Sequence, residues 1–261
     1  MLIKTVSKEY VNELLLSDKR IDGRGLLDFR KLSIKTGIMP HAEGSALVEL
    51  GNTRVIAGVK IDIGEPLRDK PDEGALMTGA ELLPMASPKY EAGPPSPESV
   101  EFARVVDRGI RSAELVDMQS LFIEKEKVWM VFIDMYVMNA DGNLFDAGSL
   151  ASVAALLSAR MPKLEGEEII RTGNLHKLKT NGIVTSCTFG KIGDKLLLDT
   201  NGNEEEYAST RLTVANDEKY IRAMQKGLSG DMSIKEIQEM IDISADKSKE
   251  LRSAIKRAVE E

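Results

Sequence analysis

Ser149, with Asp146, Ala147 and Gly148 before it and Leu150 after it, has the makings of an anion-binding helix start. Free backbone N–H groups at such a start attract phosphate, and an Arg in the next position would add paired hydrogen bonds and a fixed charge. Here the next position is Leu150, an alkyl group. The plainer reading is that Asp146 and Ser149 simply cap a helix, a common use of both residue types. A second candidate is Asp199 with Glu204, Glu205 and Glu206, carboxylates that could hold a metal for hydrolysis. On a strand, however, successive side chains point oppositely, so three glutamates in a row cannot all face one ion.

Arg104, Arg108 and Arg111 stand at i, i+4 and i+7 on a helix that should begin at Ser96-Pro97, with a capping residue and a proline in the first turn. Such a stripe can grip a nucleic-acid backbone, face solvent, or pair with carboxylates across a subunit contact. Arg68 and Lys70 lie in a charge-mixed stretch that includes Asp62, Glu65, Asp69, Asp72 and Glu73, and a solvated loop is its default reading. His41 sits beside Glu43 and could be imagined as a base, whereas His176 has no acid or nucleophile near it in sequence. Two histidines without repeated spacing make no metal site, and the single cysteine, Cys187, reads as a core residue that excludes an internal disulfide.

The elements that must position these groups read as a mixed α and β chain. Ser7 caps a short helix with Val11, Leu14 and Leu15 on one face, ending near Asp18. Strands are expected at 32–36, 45–50, 53–61 and 79–86, the second and third joined by Gly51-Asn52. Trp129, Val131, Ile133, Met135 and Val137 alternate through 128–138, which marks a strand with one buried face. Asp141-Gly142-Asn143 then turns the chain, and a helix with Leu150, Val153, Ala154, Leu157 and Met161 inward should begin near Ser149 and run toward Pro162. Later come a hairpin at 183–189 and 195–200, a strand at 211–215, a helix from Asn216, and a long helix opened by the capping box Ser233-Ile234-Lys235-Glu236.

With 261 residues, 42% of them hydrophobic, the chain can bury a sizeable core as one large domain or two related lobes. The expected division is an amino-terminal helical extension at 1–30, a first lobe at 31–165, a connector at 166–181, and a second lobe with carboxy-terminal helices at 182–261. Seven of the nine prolines lie between Pro66 and Pro97, so that segment should be a long ordered excursion or a mobile loop rather than a packed element, with its most mobile part around 67–74. No apolar run approaches bilayer length, and the amino terminus alternates charge with apolar residues rather than forming a signal peptide; a cytoplasmic protein is expected. A net charge of -7 argues that any contact with nucleic acid comes from a local basic patch.

Several blocks in order resemble the RNase PH family of phosphate-dependent 3′-to-5′ exoribonucleases, and the likeness covers nearly the whole chain. They are Arg20-Ile21-Asp22-Gly23-Arg24, Ala42-Glu43-Gly44-Ser45-Ala46, Glu49-Leu50-Gly51-Asn52-Thr53, the helix ending Ile110-Arg111, Asp146-Ala147-Gly148-Ser149, and Leu196-Leu197-Leu198-Asp199. In active members the Ala-Gly-Ser element continues into an Arg that holds the attacking phosphate; this chain has Leu150. Their two acidic residues, six positions apart, fall here on Glu205 and Arg211, within a segment that reads Ala208-Ser209-Thr210-Arg211. A paired-Arg element that grips RNA becomes Pro97-Glu98.

These three departures make the chain similar to the catalytically silent members of the family that alternate with an active paralogue in the six-membered ring of the archaeal exosome. The resemblance implies an α+β fold of two related lobes and no catalytic residue, metal or cofactor of its own. It implies as partners the active paralogue in three heterodimers, RNA-binding cap subunits, and RNA held by Arg104, Arg108 and Arg111, with the loop carrying Arg68 and Lys70 facing the central pore. The alternative is a self-sufficient phosphorolytic exoribonuclease in which Arg111 or Arg211 has taken over the phosphate.

Overall fold

The computed structural model describes residues 7–260; the first six residues of the alternating amino terminus lie outside them. Helix α1 (Lys8–Leu16) is capped by the Ser7 side chain, which accepts from the Tyr10 N–H, and buries Val11 and Leu15. Those two side chains cluster with Ile192 and Leu197, so the amino-terminal segment is pinned to a distant part of the chain.

The first sheet holds β1 (Leu32–Thr36), β2 (Gly44–Leu50), β3 (Thr53–Gly64), β4 (Ala75–Leu82), β5 (Phe122–Glu124) and β6 (Lys127–Asn139). Its order is β1-β2-β3-β6-β4, with β5 also on β6, and every pair is antiparallel except β4 with β6. Gly51 at φ 59 and Asn52 close the β2–β3 hairpin, the left-handed turn that favours glycine. Strand β4 lies four residues before its expected start at 79, because its register on β6 runs from Ala75 opposite Met130 to Leu82 opposite Val137. Helix α2 (Pro97–Ser112) begins as expected, with Ser96 Oγ accepting from the Ser99 N–H, and buries Phe102, Val106 and Ile110.

Helix α3 (Leu144–Ser158) corrects the expected start near Ser149. Its cap is Asn143, in the left-handed region at φ 51, so Asp146 and Ser149 lie within the helix rather than before it. Residues 144–156 are all buried, which explains why an amphipathic stripe was a poor guide: a helix enclosed on every side has no polar face. Gly44 of β2 and Gly148 of α3 permit this enclosure. A Cβ on the first would stand 2.2 Å from the Ala155 carbonyl oxygen, and one on the second 2.3 Å from the Phe102 ring.

A small hairpin, β7 (Lys163–Glu165) and β8 (Glu168–Ile170), follows. The second sheet comprises β9 (Thr185–Ile192), β10 (Lys195–Leu198), β11 (Thr210–Asn216) and β12 (Ile221–Gly227), in the antiparallel order β10-β9-β11-β12. The short α4 (Gly202–Tyr207) intervenes before β11. Strand β12 occupies the place where a helix was expected from Asn216; its pairing with β11 from Arg211 to Asn216 decides its conformation. Only one long helix closes the chain, α5 (Ile234–Glu260), opened by the reciprocal Ser233 and Glu236 bonds. It buries Met240, Leu251 and Ile255, while Ile237 and Ile241 are half-buried. Helix α3 touches β1, β2, β3 and β6 of the first sheet and β9 of the second, so it is the shared core of an α+β molecule with two related lobes.

Candidate functional site

Six polar side chains meet where the carboxy-terminal end of β6, the start of α3 and the turn after β10 converge. Asp199, fully buried at φ 52, accepts from Arg30 Nε and a terminal guanidinium nitrogen at 2.9 and 2.8 Å, and from Arg24 at 3.1 Å. Asn143 Nδ2 donates at 2.8 Å both to Asp199 Oδ1 and to Asp146 Oδ2. Asp146 in turn accepts from the Thr188 backbone N–H and hydroxyl of β9, each at 2.8 Å. Burial raises its pKa to about 7, against the lowering effect of Asn143 and Thr188. Next to this cluster Arg20 forms a buried ion pair with Glu204 and donates to the carbonyls of Leu198 and Asp199.

Glu204, Glu205 and Glu206 lie on α4 rather than on a strand, and they diverge. Glu204 is the buried partner of Arg20, Glu205 accepts from the Asn143 N–H at 2.6 Å, and Glu206 is exposed. Burial raises the pKa of Glu205, opposed by the Asn143 N–H, Arg211 and Arg30. Among the described residues no group of His, Cys, Asp and Glu is arranged to hold a metal.

The position at which an anion was considered is closed. Leu150 is fully buried in the core, and Ser149 lines a crevice of about 10 Å³ with Arg108, Phe145, Ser186 and Thr213. That is room for about one water molecule. Arg211 is not free to serve it either: a terminal nitrogen stands 2.6 Å from Glu101 Oε1, and the guanidinium stacks 4.1 Å from the Phe145 ring centroid. Phe145 is itself held edge-on by Phe102 at 5.9 Å.

The basic residues separate into two groups. Arg104 and Arg108 line an open groove of about 490 Å³ with Pro97, Glu101 and Gln225, and Arg108 donates to Gln225 Oε1. Arg111 turns the other way, toward β4. It pairs at two points with Asp107, at 3.0 and 2.8 Å, and donates to the Leu76 carbonyl. Lys70 lies close enough to Arg111 to feel its charge, and its pKa is raised by the hydrogen bond to Glu73 at 2.8 Å. Arg68 sits exposed on the same turn, which the Leu67–Lys70 bridge closes. His41 and His176 are exposed and take part through their carbonyls, which accept from Lys60 and from the Met161 N–H. Cys187 is fully buried.

Residues 28–162 match the model of domain 1 of the 3′ exoribonuclease (RNase PH) family, and residues 182–247 that of domain 2. The chain belongs to the RNase PH family. It is 44% identical over 255 residues to the exosome complex component Rrp42 of Methanothermobacter thermautotrophicus, covering 96% of this chain and 94% of that one. Among solved structures it resembles a chain of the Archaeoglobus fulgidus exosome with RNA bound to the active site, at 42% identity and a TM-score of 0.88, covering 94% and 96% of the two chains. A chain of an archaeal exosome core matches at 39% identity and a TM-score of 0.86, covering 95% and 96%. The RNase PH blocks quoted from the sequence thus include residues that hold the lobes together: Arg20 and Arg24 bind the turn at Asp199, and Gly44 admits α3. Glu101 and Gln225, the partners that hold Arg211 and Arg108, went unnoticed in the sequence because they lie 110 and 117 residues from them and have no signature spacing.

Proposed function

We propose that this chain is a non-catalytic subunit of an exosome ring, and that it pairs with an active RNase PH-type paralogue as three heterodimers. The observation that carries the reading is the filled anion position: Leu150 in the core, Arg211 neutralised by Glu101, and space for about one water at Ser149. The Rrp42 names and the exosome titles of the similar proteins support the assembly. In this reading the chain shapes its partner's active site, helps bind RNA for 3′-to-5′ degradation, and carries RNA-binding cap subunits on one ring face. Arg104 and Arg108 contact RNA from their groove, Arg111 from the β4 side, and Arg68 and Lys70 from the turn at the pore. A cytoplasmic location goes with that assembly; no helix among the described residues is long and apolar enough to cross a membrane. The division into an extension at 1–30, lobes at 31–165 and 182–261, and a connector at 166–181 is supported by the gap between the two matched segments.

The self-sufficient exoribonuclease finds little support, since both cations that could replace the missing clamp are already paired, Arg111 with Asp107 and Arg211 with Glu101. Mixing the chain with its paralogue, inorganic phosphate and RNA tests the proposal. A stable complex that releases nucleoside diphosphates is expected, and failure of the two chains to associate would end it.

A further inference from the structure

Two carboxylates share the amide of Asn143, and only one of them has a cation. Asp199 is bound by Arg24 and Arg30, whereas Asp146, fully buried 2.8 Å from the same Nδ2, has no ion-pair partner among the described residues. A buried charge without a counter-ion is costly, and a carboxyl in that position is relieved by taking up a proton.

The surrounding hydrogen bonds can accommodate the proton without loss. Oδ2 accepts from two donors that cannot reverse, the Asn143 amide and the Thr188 backbone N–H. Oδ1 faces the Thr188 hydroxyl, which lies 3.0 Å from the Thr213 hydroxyl, and in that pair either oxygen can donate. A proton on Oδ1 would donate to Thr188 Oγ1, which then turns its own hydrogen toward Thr213.

We propose that Asp146 is a protonated pin between the lobes, a carboxylic acid of α3 seated on β9, whose loss of the proton loosens the junction. The groups around it are few. Asp199, with Arg24 and Arg30, comes from the turn and the amino-terminal segment; Glu205 of α4 lies across Asn143; and Cys187 neighbours Thr188 on β9. Lys247 and Arg252 of α5 act on Cys187, while Arg211 of β11 is occupied by Glu101 of α2 and the Phe145 ring. The pKa of about 7, against 3.8 for an ordinary Asp, fixes the sign. The proton's contribution to stability is complete below the unfolded value and is lost as pH rises through the folded one.

Urea unfolding of the whole chain between about pH 5 and about pH 8, beside Asp146→Asn, reads this directly. The amide reproduces the neutral acid, donating to Thr188 Oγ1 and accepting on its oxygen, but has no proton to lose. The wild type should lose up to about tenfold in its folding equilibrium constant per pH unit relative to the variant. Parallel profiles would overturn the proposal. Should Asp146→Asn not fold, carbon-13 labelling of the aspartates reads the same group in the wild type. Asp134→Asn would remove the other aspartate that burial pushes upward. One carboxyl titrating near neutrality is expected, and aspartates all ionised at about pH 5 would refute the pin.

Discussion

Arg30 and Asp199 stand 169 residues apart in the chain and meet in a two-point ion pair, Nε to Oδ2 at 2.9 Å and a terminal nitrogen to Oδ1 at 2.8 Å, with the Asp199 side chain fully enclosed. The same guanidinium also donates to the carbonyls of Asp141 and Gly142, so it ties the turn before α3 to the turn after β10. Removing one partner from a buried pair leaves an uncompensated charge. Asp199→Asn should therefore cost about 3–5 kcal/mol in urea unfolding. Arg30→Lys should cost nearly as much, because an ammonium cannot make the forked contact. A destabilisation below about 0.5 kcal/mol for either would show the pair to be incidental.

Close packing of α3 makes a second expectation. Gly44→Ala forces a Cβ against a backbone oxygen that cannot rotate away, and Gly148→Ala forces one against the Phe102 ring, which can shift. Both should destabilise, by about 1–3 kcal/mol for overpacking, with Gly44→Ala the worse. Thermal denaturation of the two variants checks the order, and equal effects would mean that the β2 to α3 approach is as adaptable as the ring packing.

Leu150→Arg introduces the residue type that the family resemblance implies for active members, yet in this chain it should not bring chemistry with it. The position is fully buried, and Ser149 has space beside it for about one water. A decrease in stability of about 3–5 kcal/mol is expected, with no release of nucleoside diphosphates by the isolated variant. A folded, phosphate-dependent Leu150→Arg enzyme would show that the site is merely missing its cation.

Arg108 and Arg104 share the groove beside β12, and Arg108 is steadied by Gln225, a neutral partner that leaves its charge available. In the assembled complex, Arg108→Glu should weaken RNA binding. It should also lower the slope of log affinity against log salt by about 0.7 for each RNA phosphate that the protein no longer neutralises. Arg111→Ala should act less on RNA, since Asp107 already neutralises it. An unchanged salt slope for Arg108→Glu would take RNA away from this groove.

Local signals were legible in the sequence where local physics decides. Strand β1, the Gly51-Asn52 hairpin, the Ser96 cap with Pro97, and the Ser233 capping box follow from alternation and from the hydrogen-bonding habits of those residues. Strand β12 was not, because Ile221-Arg222-Ala223-Met224-Gln225-Lys226 contains good helix formers and is made a strand by β11. The start of α3 was hidden by a cap in the left-handed region and by burial on all sides. At the site, the departures at Leu150 and Arg211 could be read by position, but not how Arg211 is held: Glu101 lies 110 residues away, and the pair exists only once α2 and β11 are packed.

The isolated chain should carry out no phosphorolysis. Incubating it alone, at high concentration, with a 3′-labelled RNA and inorganic phosphate is the direct test. No labelled nucleoside diphosphate should appear until the proposed active paralogue is added. Steady release by the purified chain alone, abolished by withdrawing phosphate, would contradict the reading of Leu150 and Arg211 as a closed site.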